Sequence, residues 1–260
     1  MEKAEARWAI VSGASSGIGS EFARLLALKG YSVVLVARRE DRLRALAAEL
    51  ESSAPVKTRV LAADLGEPGA SSTLAAALEA DGLVLEVLVN NAGFGERGAF
   101  AETDWDREYA MMQLNMVALV ELTKRILPGM VARRRGHILN VASTAAFQPG
   151  PFMAVYFATK AFVLSFSEGV NEELRGSGVS LTTLCPGPTD SEFFDAAKMQ
   201  GSMLFKRKIP TSRAVATAGL DAMFAGKRTV IHGLSNRIGT TFARLLPRAQ
   251  VIRIIRGLVE

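Results

Sequence analysis

Short apolar runs recur along the chain: WAIVS from Trp8, SVVLVA from Ser32, TRVLAA from Thr58, LEVLVN from Leu85, HILNVA from His137, SLTTLC from Ser180 and TVIH from Thr229. Most are apolar at successive positions rather than at alternate ones, the pattern of a strand buried on both faces. The stretches between them read as helices. Strands alternating with helices predict a parallel sheet covered on both sides, and right-handed crossovers make it a doubly wound α/β fold. No internal repeat, low-complexity tract or linker interrupts residues 1–260, so the pattern predicts a single domain. The rhythm breaks only between Pro188 and Pro210, where turn residues accompany Phe193, Phe194, Met199, Met203 and Leu204. An insertion beside the carboxyl ends of the strands is a candidate lid, 188–210.

Composition narrows the picture. At 260 residues, 49% of them hydrophobic and 22% charged, the chain can bury the core of an enzyme-sized domain. The opening MEKAEARWAIVSG carries acids and lacks the apolar stretch of a secretory signal, and no apolar run is long enough to span a bilayer. The single cysteine, Cys185, cannot close an intramolecular disulfide, and with two histidines it makes no metal cluster. The expectation is a cytoplasmic protein without a metal. Cys185 ends an apolar strand and reads as a buried thiol, and His137 and His232 read as strand-end or core histidines, each with a local hydrogen bond.

The formal charge is +5. Basic clusters at Arg133, Arg134, Arg135 and at Lys206, Arg207, Lys208 have no interleaved aromatics, so solvated faces are expected and a nucleic-acid partner is not. The C-terminal segment 235–260 differs: Arg237, Arg244, Arg248, Arg253 and Arg256 stand against Glu260 alone, with apolar residues between them. Such a basic amphipathic stretch either lies on an anionic membrane or packs against a partner subunit.

Candidate chemistry begins at SGASSGIG, Ser12 to Gly19, which follows the first strand and opens a helix. Gly13, Gly17 and Gly19 permit a tight turn and close backbone approach, Ser15, Ser16 and Ile18 complete the loop, and the helix N-terminus favours a pyrophosphate. In AVYFATKAF, Tyr156 precedes Lys160 by four residues, which places phenol and ammonium on one helix face.

Together with Asp64-Leu65, the NNAG of Asn90 to Gly93, Asn115, Ser143 and Pro186-Gly187, these motifs resemble the short-chain dehydrogenase/reductase pattern from the first strand to the last. Ser12 stands where the family usually has threonine and keeps the hydroxyl. The resemblance implies a Rossmann-like fold, an NADP(H)- or NAD-dependent oxidoreductase interconverting a carbonyl and an alcohol, and a homo-oligomer, which favours the partner-subunit reading of the C-terminal segment. Asp64 is implied to contact the adenine side, with a helix N-cap as the ordinary alternative. Asn91, Ala92 and Gly93 are implied to line the cofactor path, and Pro186, Gly187 and Thr189 to pack against the nicotinamide. Among the catalytic residues, Ser143 is implied to orient the substrate oxygen, Tyr156 to transfer its proton, and Lys160 to hold the ribose while its charge brings phenolate within reach of neutrality. Asn115 is implied to anchor a water that reaches Lys160.

Where NAD-binding members carry an acid at the end of the second strand, this chain has Ala37 followed by Arg38 and Arg39, a sequence that suits a 2′-phosphate unless both arginines merely open a solvent-facing helix. NADP(H) is therefore the expected cofactor. Substrates left open are a general apolar aldehyde or ketone and a 3-oxoacyl thioester. A dinucleotide-binding redox sensor, the alternative of another class, has no need of the four-residue proton-transfer set.

Overall fold

The computed structural model describes residues 6–192 and 209–259. Seven parallel strands form one sheet in the order β3-β2-β1-β4-β5-β6-β7, with β1 at Trp8–Ser12, β2 at Ser32–Ala37, β3 at Thr58–Ala62, β4 at Leu85–Asn90, β5 at Gly136–Val141, β6 at Val179–Cys185 and β7 at Thr229–Ile231. Each apolar run of the sequence is a strand, shifted by no more than a residue or two. The doubly wound, Rossmann-like expectation holds.

Helices cover both faces. Among the described residues, α1 (Gly17–Leu28), α2 (Glu40–Ser53) and α7 (Ser212–Phe224) lie on one side. The other side carries α3 (Ala70–Ala80), α5 (Leu119–Ala132) and the end of α6 (Ala154–Glu173). Alternate strand residues feed the two cores: Ala9 and Val11 of β1 meet Phe22, Leu26 and Leu43, whereas Trp8 and Ile10 meet Leu78, Leu122 and Ile126. Helix α4 (Trp105–Met112) runs into α5 through a π-helical stretch, Gln113–Ala118.

The chain runs outward from β1 through β2 and β3, then crosses back to β4 on the other side of β1. A crevice opens at such a reversal, outside the carboxyl ends of β1 and β4. Two helices follow β7, α8 (Leu234–Leu245) and α9 (Arg248–Val259). The candidate lid is pinned at its base, where Asp190 pairs with Thr211 and its amide donates to the Pro210 carbonyl at 3.0 Å. Phe193, Phe194, Met199, Met203, Leu204 and the cluster Lys206, Arg207, Lys208 lie outside the described residues.

Candidate active site

A cavity of about 940 Å³ runs from the glycine-rich loop across the carboxyl ends of β1, β4, β5 and β6 to α8 and α9. It is lined by every residue singled out from the sequence for cofactor or catalysis except Asn115.

The glycine loop is shaped by steric necessity. A Cβ on Gly19 would stand 2.1 Å from the Gly13 carbonyl oxygen, and one on Gly13 would stand 2.9 Å from the Ala92 Cα. Gly13 and Gly17 also adopt positive φ, 69° and 55°, which glycine tolerates without strain. Ser16 is the N-cap of α1 but its side chain makes no capping hydrogen bond, which leaves the first-turn amides to an anion. Ser12 fastens the floor: its hydroxyl donates to the Val89 carbonyl at 3.3 Å and accepts from the amides of Asn91 at 3.0 Å and Ala92 at 3.1 Å. Asn91 answers by donating its side-chain amide to the Ser12 carbonyl at 3.0 Å.

Beyond β2 the two arginines part. Arg39 turns over the loop and donates to Ser15 Oγ at 3.0 Å and Ser16 Oγ at 2.8 Å, whereas Arg38 is largely exposed and reaches Asp64 at 3.5 Å. Asp64 is no helix cap: its Oδ1 accepts from the Gly66 amide at 2.9 Å, in a turn ahead of α3. Leu65 beside it is buried.

On the catalytic side, Ser143 caps the short 3₁₀ turn Thr144–Phe147, accepting from the Ala145 amide at 3.1 Å, and hydrogen-bonds Tyr156. Burial pushes the Tyr156 phenol up to about 12, and the Ser143 hydrogen bond only partly opposes it. Burial brings Lys160 down to about 8. Lys160 Nζ donates to the Val141 carbonyl at 3.0 Å and lies 5.9 Å from the centre of the Tyr156 ring. The expected drop of the tyrosine toward neutrality is therefore absent from this arrangement, because desolvation of the phenolate outweighs an ammonium held by a carbonyl. Around Lys160, a Cβ on Gly93 would come within 3.5 Å of Nζ.

Asn115 sits in the π-helical stretch, fully buried, and its side chain bonds two neighbouring elements. Oδ1 accepts from the Phe94 amide at 3.2 Å, while Nδ2 donates to the Phe94 carbonyl at 3.0 Å and to Thr159 Oγ1 at 3.1 Å. It thus ties the loop after β4 to the helix carrying Tyr156 and Lys160.

Gly187 makes room for Asn236 of α8, whose side chain would stand 2.7 Å or less from a Cβ there, and buried Thr189 donates to the Gly187 carbonyl at 3.0 Å. Cys185 is wholly buried, which raises its thiol to about 12 and removes it from nucleophilic chemistry. His137 finds Ser180 Oγ at 2.8 Å as expected, but His232 does not follow suit: its Nδ1 is buried with no partner among the described residues, and burial lowers its pKa.

The stretch AAFQPGPFM after Ser143 predicts an apolar pocket, and Met153 does line the cavity, but sequence reasoning missed the wall supplied by the C-terminal helices. Phe94 and Met153 line the apolar end of the cavity together with Phe242 and Ala243 of α8, Leu246 just after it, and Val251, Ile255 and Leu258 of α9. Val259 packs into the same buried cluster as Tyr156, Phe157 and Met111, and its carbonyl accepts from Arg97 Nε at 2.9 Å. The C-terminal segment, expected on a partner or a membrane, is first of all a wall of this site.

The family model described as short chain dehydrogenase matches residues 7–200. The very-long-chain 3-oxoacyl-CoA reductase of Mus musculus is 32% identical over 256 residues, spanning 96% of this chain and 78% of that protein. A structure solved in work on 7β-hydroxysteroid dehydrogenase stereoselectivity superposes with a TM-score of 0.87 at 27% identity, covering 96% of each chain. A short-chain dehydrogenase from Sphingobium yanoikuyae in complex with NADPH does so with a TM-score of 0.82 at 31% identity, covering 92% of this chain and 94% of that one. With its loop, its strand order and its Ser143, Tyr156 and Lys160 gathered at one cavity, this chain belongs to the short chain dehydrogenase family and is an oxidoreductase.

Proposed function

We propose that the protein uses NADPH to reduce the carbonyl of a large apolar substrate, with the reverse alcohol oxidation running on the same groups. The observation that carries this reading is the single cavity joining the Arg39-Ser15-Ser16 corner to Tyr156 and then to the apolar wall of α8 and α9. The residues present fit a dinucleotide. Gly13 and Gly19 leave a cradle that a Cβ would fill, the first turn of α1 offers amides to the pyrophosphate, and Arg39 offers a guanidinium to a 2′-phosphate.

When bound, the nicotinamide supplies the hydride. The chain's own work is placement and proton transfer. Ser143 and Tyr156 present two hydroxyls to one oxygen of the substrate, and Tyr156, fully protonated at neutral pH with its phenol near 12, gives its proton to the oxygen as that atom becomes an alkoxide. Lys160 would hold the ribose hydroxyls of the bound dinucleotide and, below about pH 8, keeps a positive charge beside the site. Asn115 positions the loop at Phe94 and the helix at Thr159.

Among apolar carbonyls, the 3-oxoacyl thioester reading is favoured by the names of the relatives, and a long acyl chain suits a wall built from Ala243, Leu246, Val251, Ile255 and Leu258. The setting we propose is cytoplasmic, and the assembly a homo-oligomer, for which the exposed Trp105, Tyr109, Val117 and Phe162, none of them lining the cavity, supply an apolar face. The test is NADPH oxidation against small aldehydes, cyclic ketones and 3-oxoacyl thioesters of increasing length. Turnover should rise with apolar bulk, and saturable NADPH binding with no carbonyl turned over would overturn the reading.

A further inference from the structure

Helix α8 presents two opposite faces, a mixed one to the cavity and an apolar one outward. Asn236, Thr240, Ala243 and Leu246 face the cavity, while Leu234, Ile238, Phe242 and Leu245 follow one another at helical spacing along the outside and are all exposed, Leu245 at 75% and Leu234 at 72%. Helix α9 adds Ile254, at 54%. The row on α8, with Ile254 of α9 exposed at the cavity rim, makes a patch of the kind that marks an interaction surface. Phe242 and Ile254 belong to both surfaces: they line the cavity and stand exposed at its rim.

Charge says what covers the patch. Residues 233–259 hold five arginines and no acid, out of 31 basic and 26 acidic residues in the chain, so the rest of the molecule is balanced at 26 against 26 and the whole formal excess of +5 sits on these two helices. Arg237, Arg244, Arg248, Arg253 and Arg256 are all exposed. A second copy of the chain docked here by two-fold symmetry would bring this arginine field against itself. An anionic lipid surface complements both features, with apolar side chains sinking below the headgroups and arginines reaching the phosphates.

We propose that α8 and α9 dock the protein peripherally on an anionic membrane, with the rim at Phe242 and Ile254 turned to the lipid so that an apolar substrate passes from the bilayer into the cavity. The docking stands apart from the reaction; only the passage of substrate rests on the function proposed above, and a binding measurement tests the surface without reference to turnover.

The experiment is co-sedimentation of the full chain with phosphatidylcholine vesicles, with and without about 30% phosphatidylglycerol. The protein should pellet with the anionic vesicles, remain in solution with the neutral ones, and be released by salt. Arg248→Glu and Arg253→Glu should each weaken partitioning by roughly fivefold or more. Leu245→Asp, at a residue outside the cavity lining, should abolish it while leaving reduction of a small soluble ketone and the thermal midpoint unchanged. The proposal is overturned if wild type stays in the supernatant with anionic vesicles. It is equally overturned if Leu245→Asp halves the particle mass in lipid-free sedimentation, which would assign the patch to a second copy. A chain that pellets but turns over no carbonyl would keep the surface and remove the function.

Discussion

Arg39 Nη1 meets Glu192 Oε2 at 2.8 Å, and the same guanidinium reaches Ser15 and Ser16 through Nη2, so one arginine joins the glycine loop to the base of the lid segment. Arg42 takes the other oxygen of Glu192 at 2.5 Å, and hydrogen bonds from Arg42 and then Arg39 hold that carboxyl down at about 2. The chain's own carboxylate thus sits where two guanidinia converge beside Ser15 and Ser16, the place suited to a 2′-phosphate. Glu192→Gln should therefore tighten NADPH binding several-fold and leave NADH binding unmoved. Arg39→Ala should weaken NADPH by about 10- to 100-fold, the loss of a charge-assisted hydrogen bond, and Arg38→Ala by less. Fluorescence titration of both cofactors reads all three variants, and a larger loss in Arg38→Ala than in Arg39→Ala would contradict the assignment.

Tyr156 and Lys160 should separate in pH. Tyr156→Phe keeps the ring packed against Phe157 and removes the transferable proton, so NADPH binding should persist while carbonyl reduction falls by about 10² to 10⁴. In the wild type the phenol, near 12, stays protonated across the neutral range, and the group that changes is Lys160, near 8. Its charged form lies below that pH, so kcat/KM for reduction should fall as pH rises through about 8. Lys160→Arg should carry the falling limb upward, since guanidinium keeps its proton. Alcohol oxidation, which needs the unprotonated phenol, should keep rising on the alkaline side. A reduction profile flat between roughly 6 and 10 would deny Lys160 its electrostatic part.

The strands, the glycine loop and the Tyr156-Lys160 pair were legible because each is a local pattern: continuous apolar runs, a turn only glycine can make, a four-residue spacing. What stayed hidden depended on side-chain direction or tertiary placement. Arg38 and Arg39 are adjacent in sequence, and only the path of the turn after β2 sends the second over Ser15 and the first toward Asp64. The π-helical register that carries Asn115 leaves no mark in QLNMVA. The basic amphipathic C-terminus reads alike whether it covers a membrane, a subunit or a cavity, and here one side lines the cavity while the other exposes an apolar patch. For Tyr156, spacing reveals the neighbouring cation and conceals the burial that raises the phenol.

Ser12 offers a test of the floor of the site. Its hydroxyl is the acceptor for two amides, those of Asn91 and Ala92, and Ser12→Ala would strand both in a part-buried turn. The cost should be roughly 1–3 kcal/mol, seen as a drop of several degrees in thermal midpoint. Ser12→Thr, which keeps the hydroxyl, should lie near wild type. Equal losses in the two variants would show that packing beneath β4 dominates rather than the hydrogen bonds.

Helix α9 should set substrate size without touching the chemistry. Ile255, Leu258 and Val259 all line the cavity, but Val259 is a buried member of the Tyr156 and Phe157 cluster, against which Ile255 packs only from its half-buried position. Truncating Ile255 or Leu258 to alanine removes apolar contact available only to a substrate long enough to reach the wall, and each lost contact is worth about 1–3 kcal/mol in a hydrophobic pocket. KM for a long-chain or polycyclic carbonyl should rise about tenfold or more, whereas kcat/KM for a small ketone should stay within about twofold. Val259→Ala serves as the contrast. It loosens the cluster that holds Tyr156, so it should lower kcat for large and small substrates alike. If Ile255→Ala and Leu258→Ala also depress the small-ketone reaction, α9 acts by supporting Tyr156 and the apolar wall is no specificity element. If they spare the small substrate and penalise the large one, the last turns of the chain are what measures the substrate's length.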